Sequence, residues 1–222
     1  MTQADNLAFY TADTPNGQKV SIFLKESGLS YEQFDLDLEK GDQHRPDFLK
    51  INPNGKIPAI VDRKAGLTIF ESGAILSYLS SQTGCLLPET QAESVSVQQW
   101  LHFQIGGIGP MLGQLWWFLH ASTTGNAEAI QRYQQQSLRL YQVVDTRLSE
   151  SAYIASENYS IADIAAFTWL RTWDELNLDI RPYSHVRRWL DKIAARPAVQ
   201  AGLLANKPAS RAATERSAST EG

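Results

Sequence analysis

Thr14 and Asn16, in the run "TPNG", bring a hydroxyl and a carboxamide to a point where strand-like periodicity gives way to helical spacing at Val20, Phe23 and Leu24. A helix N-terminus at that point has free amides, and with two polar side chains beside it suits an anion: a carboxylate, a phosphate or a thiolate. Two other places carry groups of the same kind. Lys56 and Ile57 precede Pro58, where an X-Pro bond allows a cis peptide that turns the Ile57 N–H and C=O outward, toward an extended ligand backbone. Glu71 and Ser72 open another helical run; the hydroxyl and free amides suit a carboxylate and the Glu71 side chain suits an ammonium, which together describe an α-amino acid head group. Lys56 adds a cation for a second carboxylate, and Gln43 is a further candidate from the polar loop between. Each piece alone also has a plain structural reading, as a helix cap or a turn.

The elements that must carry these residues alternate in type. "NLAFYTA" reads as a strand, a helix runs from Pro15 to a stop at Gly28, and "YEQFDLDLE" alternates as a second strand. A short helix in "RPDFLKIN", strands in "KIPAIVD" and "LTIFE" joined by the turn "RKAG", and a helix in "SGAILSYLSSQTG" complete the order β-α-β-α-β-β-α. That order predicts a small mixed sheet with helices on both faces, whose loops gather the candidate residues at one edge. Beyond about residue 94 the pattern is helical only, strongest in "SVQQWLHFQIGG", "EAIQRYQQQSLRLYQVVDTRL", "YSIADIAAFTWLRTW" and "SHVRRWLDKIAARP". Ser160 and Asp163 form a capping-box pattern, which is structural. Pro88 and its polar neighbours place a boundary near residue 89, so the expected domains are 1–88, α/β, and 89–206, all-α. The small, polar, aperiodic stretch 207–222 is expected to be disordered.

Composition narrows the chemistry. The 222-residue chain is 43% hydrophobic with a formal net charge of -4, enough for a real core and short of the basic face that nucleic acid requires. No nucleic-acid partner is expected. The start of the sequence lacks the basic and apolar regions of a secretory signal, and "IGGIGPMLGQLWWFLHA" is interrupted by glycine, proline and glutamine. A cytoplasmic protein with no membrane partner is the expectation. Cys85 is the only cysteine and the four histidines are scattered, so no disulfide, CxxC redox pair or metal site is expected. Cys85 beside Leu86 and Leu87 reads as structural, and any sulfur chemistry must therefore use an imported thiol.

Taken together the candidate groups match glutathione. Its γ-glutamyl head fits Glu71 and Ser72, its cysteinyl backbone Ile57, its glycyl carboxylate Lys56, and its sulfur Thr14 and Asn16. Over all but the tail, the chain resembles the glutathione transferases: a thioredoxin-like N-terminal domain with a proline at the mouth of a strand, the "ES" dipeptide, and an all-helical C-terminal domain with the "SIAD" box. "TPNGQKV", "KGDQHRPDFLKINPNGKIPAIVD", "FESGAILSYL", "GGIGPMLGQ", "QRYQQQ" and "NYSIADIA" are similar to the nu class, the bacterial disulfide-bond oxidoreductase branch. The resemblance implies a glutathione transferase fold and a homodimer. It implies Thr14 and Asn16 at the sulfur, Gln43, Lys56, Ile57, Glu71 and Ser72 around the tripeptide, and Arg132 reaching in from the helical domain. Where several relatives carry histidines after "GPMLGQ", this chain has Leu115, Trp116, Trp117 and Phe118.

Activation of a thiol is within reach of these groups. Lowering a pKa of about 8.5 to about 6.5 raises the thiolate at pH 7 from about 3% to roughly three quarters, for about 2.7 kcal/mol of preferential stabilisation. Hydrogen bonds to a charged group contribute about 1.5–3 kcal/mol, so Thr14 and Asn16 with the helix dipole suffice without a tyrosine. Tyr10, just before the turn, belongs to the strand. The expected activity is reduction of small or mixed disulfides by bound glutathione thiolate, with glutathione as substrate, oxidised glutathione as product and no permanently bound cofactor. Conjugation of glutathione to electrophiles and non-catalytic binding of glutathione are the alternatives.

Overall fold

The computed structural model describes residues 6–207, which divide into two compact units, 6–85 with 196–207, and 86–195. The first unit is built on β1 (Leu7–Thr11), β2 (Glu32–Asp35), β3 (Ala59–Asp62) and β4 (Leu67–Phe70), in the sheet order β2-β1-β3-β4. β1 runs parallel to β2, with Phe9 opposite Gln33, and antiparallel to β3, with Phe9 opposite Ile60. β3 and β4 are antiparallel, with Ile60 opposite Ile69. A central strand is covered on both faces, and β1 accordingly reads as a continuous apolar run with Ala8 and Phe9 fully buried.

Helix α1 (Pro15–Ser27) makes the crossover from β1 to β2. Thr14 caps it, accepting from the Gly17 N–H at 3.2 Å, and Gly28 ends it in the left-handed region at φ 67°. A 3-10 turn at Asp42–His44 and the short helix α2 (Pro46–Leu49) lead into the Asn52–Pro58 loop, and α3 (Ser72–Thr83) follows β4. α1 is buried on most of its circumference, because α3 packs on it and so does the last helix, α9 (Pro197–Ala205). The sequence expectation placed this C-terminal stretch with the all-helical segment; in the structure it returns to the first unit. The expected disordered tail from residue 208 onward lies outside the described residues.

The α1–α9 contact is backbone against backbone. A Cβ built on Gly202 would stand 2.6 Å from the Ile22 Cα and 2.7 Å from the Ile22 N. Around it, the Asn206 Oδ1 accepts from the Thr11 and Ser21 hydroxyls at 3.2 and 3.0 Å, and Arg196 clasps Glu26 through two bonds of 2.7 and 3.0 Å. Gly202→Ala is expected to lower stability by about 2 kcal/mol, the overpacking cost exceeding the roughly 1 kcal/mol that alanine gains over glycine in a helix. The urea midpoint measures it; a midpoint that rises would refute so close an approach.

The second unit comprises α4 (Gln91–Phe103), α5 (Gly109–His120), α6 (Ala127–Glu150), α7 (Ile161–Leu170) and α8 (Ser184–Ala194), with one π turn, Gln104–Ile108, between α4 and α5. α7 is its axis: every residue from Ile161 to Thr168 is buried, as an apolar helix with no wet face must be. Its start carries the capping box that the sequence predicts. The Asp163 carboxylate accepts from the Ser160 N–H and O–H, the Ile154 N–H and the Trp189 Nε1–H, at 2.9–3.0 Å. α8 instead buries a single stripe, Val186, Trp189, Leu190 and Ile193. Among the described residues no helix is long and apolar enough to cross a membrane.

Candidate functional site

A cleft of about 150 Å³ opens in the first unit where the start of α1, the loop before β3 and the start of α3 meet. Asn16, Lys56, Ile57, Glu71 and Ser72 line it, with Asn52, Asn54 and Pro58. Five of the residues singled out from the sequence therefore share one wall. Thr14 stands two residues before Asn16, at the helix cap. Its hydroxyl oxygen accepts from Gly17, which leaves the hydroxyl proton to donate outward.

The loop leading to Ile57 is held from within. Asn52, 2% exposed, donates to the Lys56 carbonyl at 2.6 Å and accepts from the Asn54 N–H at 3.0 Å. The Ile57–Pro58 peptide is cis, as the sequence allows. Pairing of β3 begins at Ala59, opposite Tyr10 and Phe70, so the Ile57 N–H and C=O lie outside the ladder and are available to an extended ligand. Lys56 is exposed and makes no ion pair among the described residues.

Glu71 is held in an unusual backbone conformation, φ 70° and ψ 116°. A non-glycine residue there costs on the order of 1–3 kcal/mol, strain that collects at ligand sites. Its carboxylate is exposed, while the next residue, Ser72, is 5% exposed with its N–H at the start of α3. Behind Ser72 stands a residue that the sequence reading passes over. Lys19 is 1% exposed and donates from Nζ to the Ser72 Oγ at 3.1 Å. Burial pushes its pKa down to about 7, with Glu71 pulling the other way. A lysine in "NGQKV" reads as a solvated helix position; the packing of α3 on α1 sets it against Ser72.

Other candidates fall elsewhere. Gln43 is not in the wall of the cleft: it sits in the 3-10 turn and donates to the Leu38 carbonyl at 3.3 Å. Arg132 is exposed on α6, in the second unit. Tyr10 stacks on Phe34 at 4.7 Å, and burial raises its pKa, so its ring serves packing. Cys85 is half-buried, and burial, reinforced by Glu26 against Arg196, pushes its thiol up, away from the reactive thiolate. On α5, Leu115 is in the core, whereas Trp116 and Trp117 are 42% and 47% exposed. Trp116 donates to Glu175 at 2.6 Å. Among the described residues no cluster of His, Cys, Asp and Glu could hold a metal ion.

A four-stranded mixed sheet of this order with a cis proline at the mouth of its third strand, joined to an all-helical unit, is the architecture of the glutathione transferase fold. Residues 7–81 match the family description "Glutathione S-transferase, N-terminal domain" and residues 108–197 its C-terminal counterpart. The chain belongs to the glutathione S-transferase family. It is 46% identical over 200 residues to the disulfide-bond oxidoreductase YfcG of Escherichia coli, covering 88% of this chain and 93% of that one. A glutathione transferase from Pseudomonas putida, solved with one glutathione disulfide bound per subunit, is 41% identical with a TM-score of 0.85, over 91% of this chain and 93% of the other. A Burkholderia graminis transferase with two glutathione molecules per subunit is 42% identical, TM-score 0.86, over 91% and 89%.

Proposed function

We propose that the chain is a glutathione-dependent disulfide reductase of the nu class. Glutathione lies with its γ-glutamyl ammonium at Glu71, its head carboxylate at Ser72, its cysteinyl backbone along Ile57 and its glycyl carboxylate near Lys56. Its sulfur sits at Thr14 and Asn16, with Gln43 at the edge of the site. The bound thiolate attacks a disulfide sulfur of a small or protein mixed disulfide, the S–S bond breaks, and the departing thiolate takes a proton. A second glutathione thiolate attacks the glutathione sulfur of the resulting mixed disulfide, whose S–S bond breaks and releases the second substrate thiolate, which is protonated in turn. Oxidised glutathione leaves, two glutathiones having supplied two electrons. Arg132 is assigned to the carboxylates of the second glutathionyl unit, the active form to a homodimer, and the compartment to the cytoplasm. The domains we assign follow the two compact units, 86–195 forming the helical one.

The observation that carries this reading is the glutathione disulfide in the 41% identical Pseudomonas putida relative, which is the product of the reaction. The direct test is turnover of 2-hydroxyethyl disulfide measured beside conjugation of 1-chloro-2,4-dinitrobenzene. Disulfide reduction is expected to dominate; conjugation without disulfide turnover would favour the transferase reading, to which the exposed indoles of Trp116 and Trp117 lend an apolar surface. Cys85→Ser is expected to leave reductase activity within about twofold of wild type, because both reacting sulfurs come from ligands. A hundredfold loss in a folded variant would implicate the protein's own thiol.

A further inference from the structure

A buried lysine is an expensive group to place in a core, and an apolar side chain of the same length would suit the site better unless the charge has a task. Lys19 lies on α1 with its ammonium behind Ser72, at 3.1 Å from Oγ. An ammonium only donates, so in this contact the Ser72 oxygen is the acceptor and its own proton points elsewhere. Ser72 lines the cleft, as does Glu71 beside it. α3 and α9, the helices packed on α1, carry no charged side chain, and Glu71 is a charged group near enough to Lys19 to act on it.

We infer that Lys19 is a positioning residue of the cleft: from behind Ser72 its ammonium fixes that hydroxyl as a donor to the ligand's head carboxylate and supplies the buried positive charge which that carboxylate meets. The inference rests on the glutathione reading above. Lys19 does not touch the ligand; it acts through Ser72, and it leaves Glu71 to the ligand ammonium. Because its pKa sits at about 7, arrival of a carboxylate beside Ser72 draws a proton onto it, so binding takes up protons near neutral pH.

S-methylglutathione, which has no thiol to ionise, isolates this effect, and its γ-aminobutyryl analogue lacks only the head carboxylate. Calorimetry of the full-length wild-type protein at pH 7.5 in buffers of different ionisation enthalpy is expected to show uptake of about half a proton with S-methylglutathione and much less with the analogue. Lys19→Met is expected to weaken S-methylglutathione by about tenfold, to abolish the uptake, and to change the analogue's affinity by less than about twofold. Ser72→Ala should show the same ligand dependence. Equal weakening of both ligands by Lys19→Met would make the lysine merely structural and overturn the inference. Should that variant not fold, the wild-type comparison decides it, and equal proton uptake with the two ligands overturns it. Wild-type protein that binds no S-methylglutathione would instead overturn the glutathione reading itself.

Discussion

Asn16→Ala is expected to slow glutathione-dependent disulfide reduction by about 4- to 40-fold at pH 7, through the thiolate fraction lost with one hydrogen bond of about 1.5–3 kcal/mol to a charged sulfur. The residue is half-exposed in the first turn of α1 and lines the cleft. It is not the helix cap, since Thr14 holds that place through Gly17. Thr14→Ala would mix two effects, because the lost cap alone costs about 1 kcal/mol of stability. The thiolate absorbance of the glutathione complex, followed against pH, gives the cleaner reading. In Asn16→Ala the midpoint should move up by about one to two pH units. An unchanged midpoint would remove Asn16 from the sulfur site.

Asp163→Ala should be the most destabilising of these substitutions, at about 3–5 kcal/mol, a large part of the roughly 5–15 kcal/mol that holds an ordinary domain folded. The carboxylate is fully buried and accepts from four donors, two on Ser160, one on Ile154 and one on Trp189. Burial raises its pKa to about 6, still below neutral, so at pH 7 it is ionised and all four bonds hold. Truncation orphans every donor and opens a cavity at the entrance to α7, the axis of the helical unit. Asp163→Asn, which keeps one carbonyl acceptor, should lose less than the alanine variant. Denaturant unfolding followed by tryptophan fluorescence measures both, and a loss below about 1 kcal/mol for Asp163→Ala would contradict the assigned network.

Local chemistry made much of this legible in the sequence. Thr14, Pro15 and Gly28 punctuate α1, Ile57–Pro58 marks the strand mouth, and Ser160 with Asp163 announces α7; each signal lies within a few residues of what it specifies. What stayed hidden depends on contacts between distant segments. "PAVQAGLLA" carries only a weak stripe, and its place on α1 follows from the fit of Gly202 to Ile22, far away in sequence. Lys19 looks solvated until α3 sets Ser72 against it. Asn52 reads as one more turn asparagine, although its two side-chain bonds shape the loop that presents Ile57. Gln43 reads like the other loop amides, and its bond to the Leu38 carbonyl is not announced by any local pattern.

The return of α9 to the first unit has a consequence for biosynthesis. A ribosome delivers residues in order, and domains generally fold as units while the chain emerges. Here all of 86–195 is available before the final helix of the first unit has been made. The unit that begins first is thus the last to have its whole chain, and until residue 205 emerges the Ile22 face of α1 stays uncovered and Thr11 and Ser21 lack Asn206. A released chain truncated after residue 195 should hold a protease-protected helical unit beside a protease-sensitive α1, whereas the full-length protein should protect both.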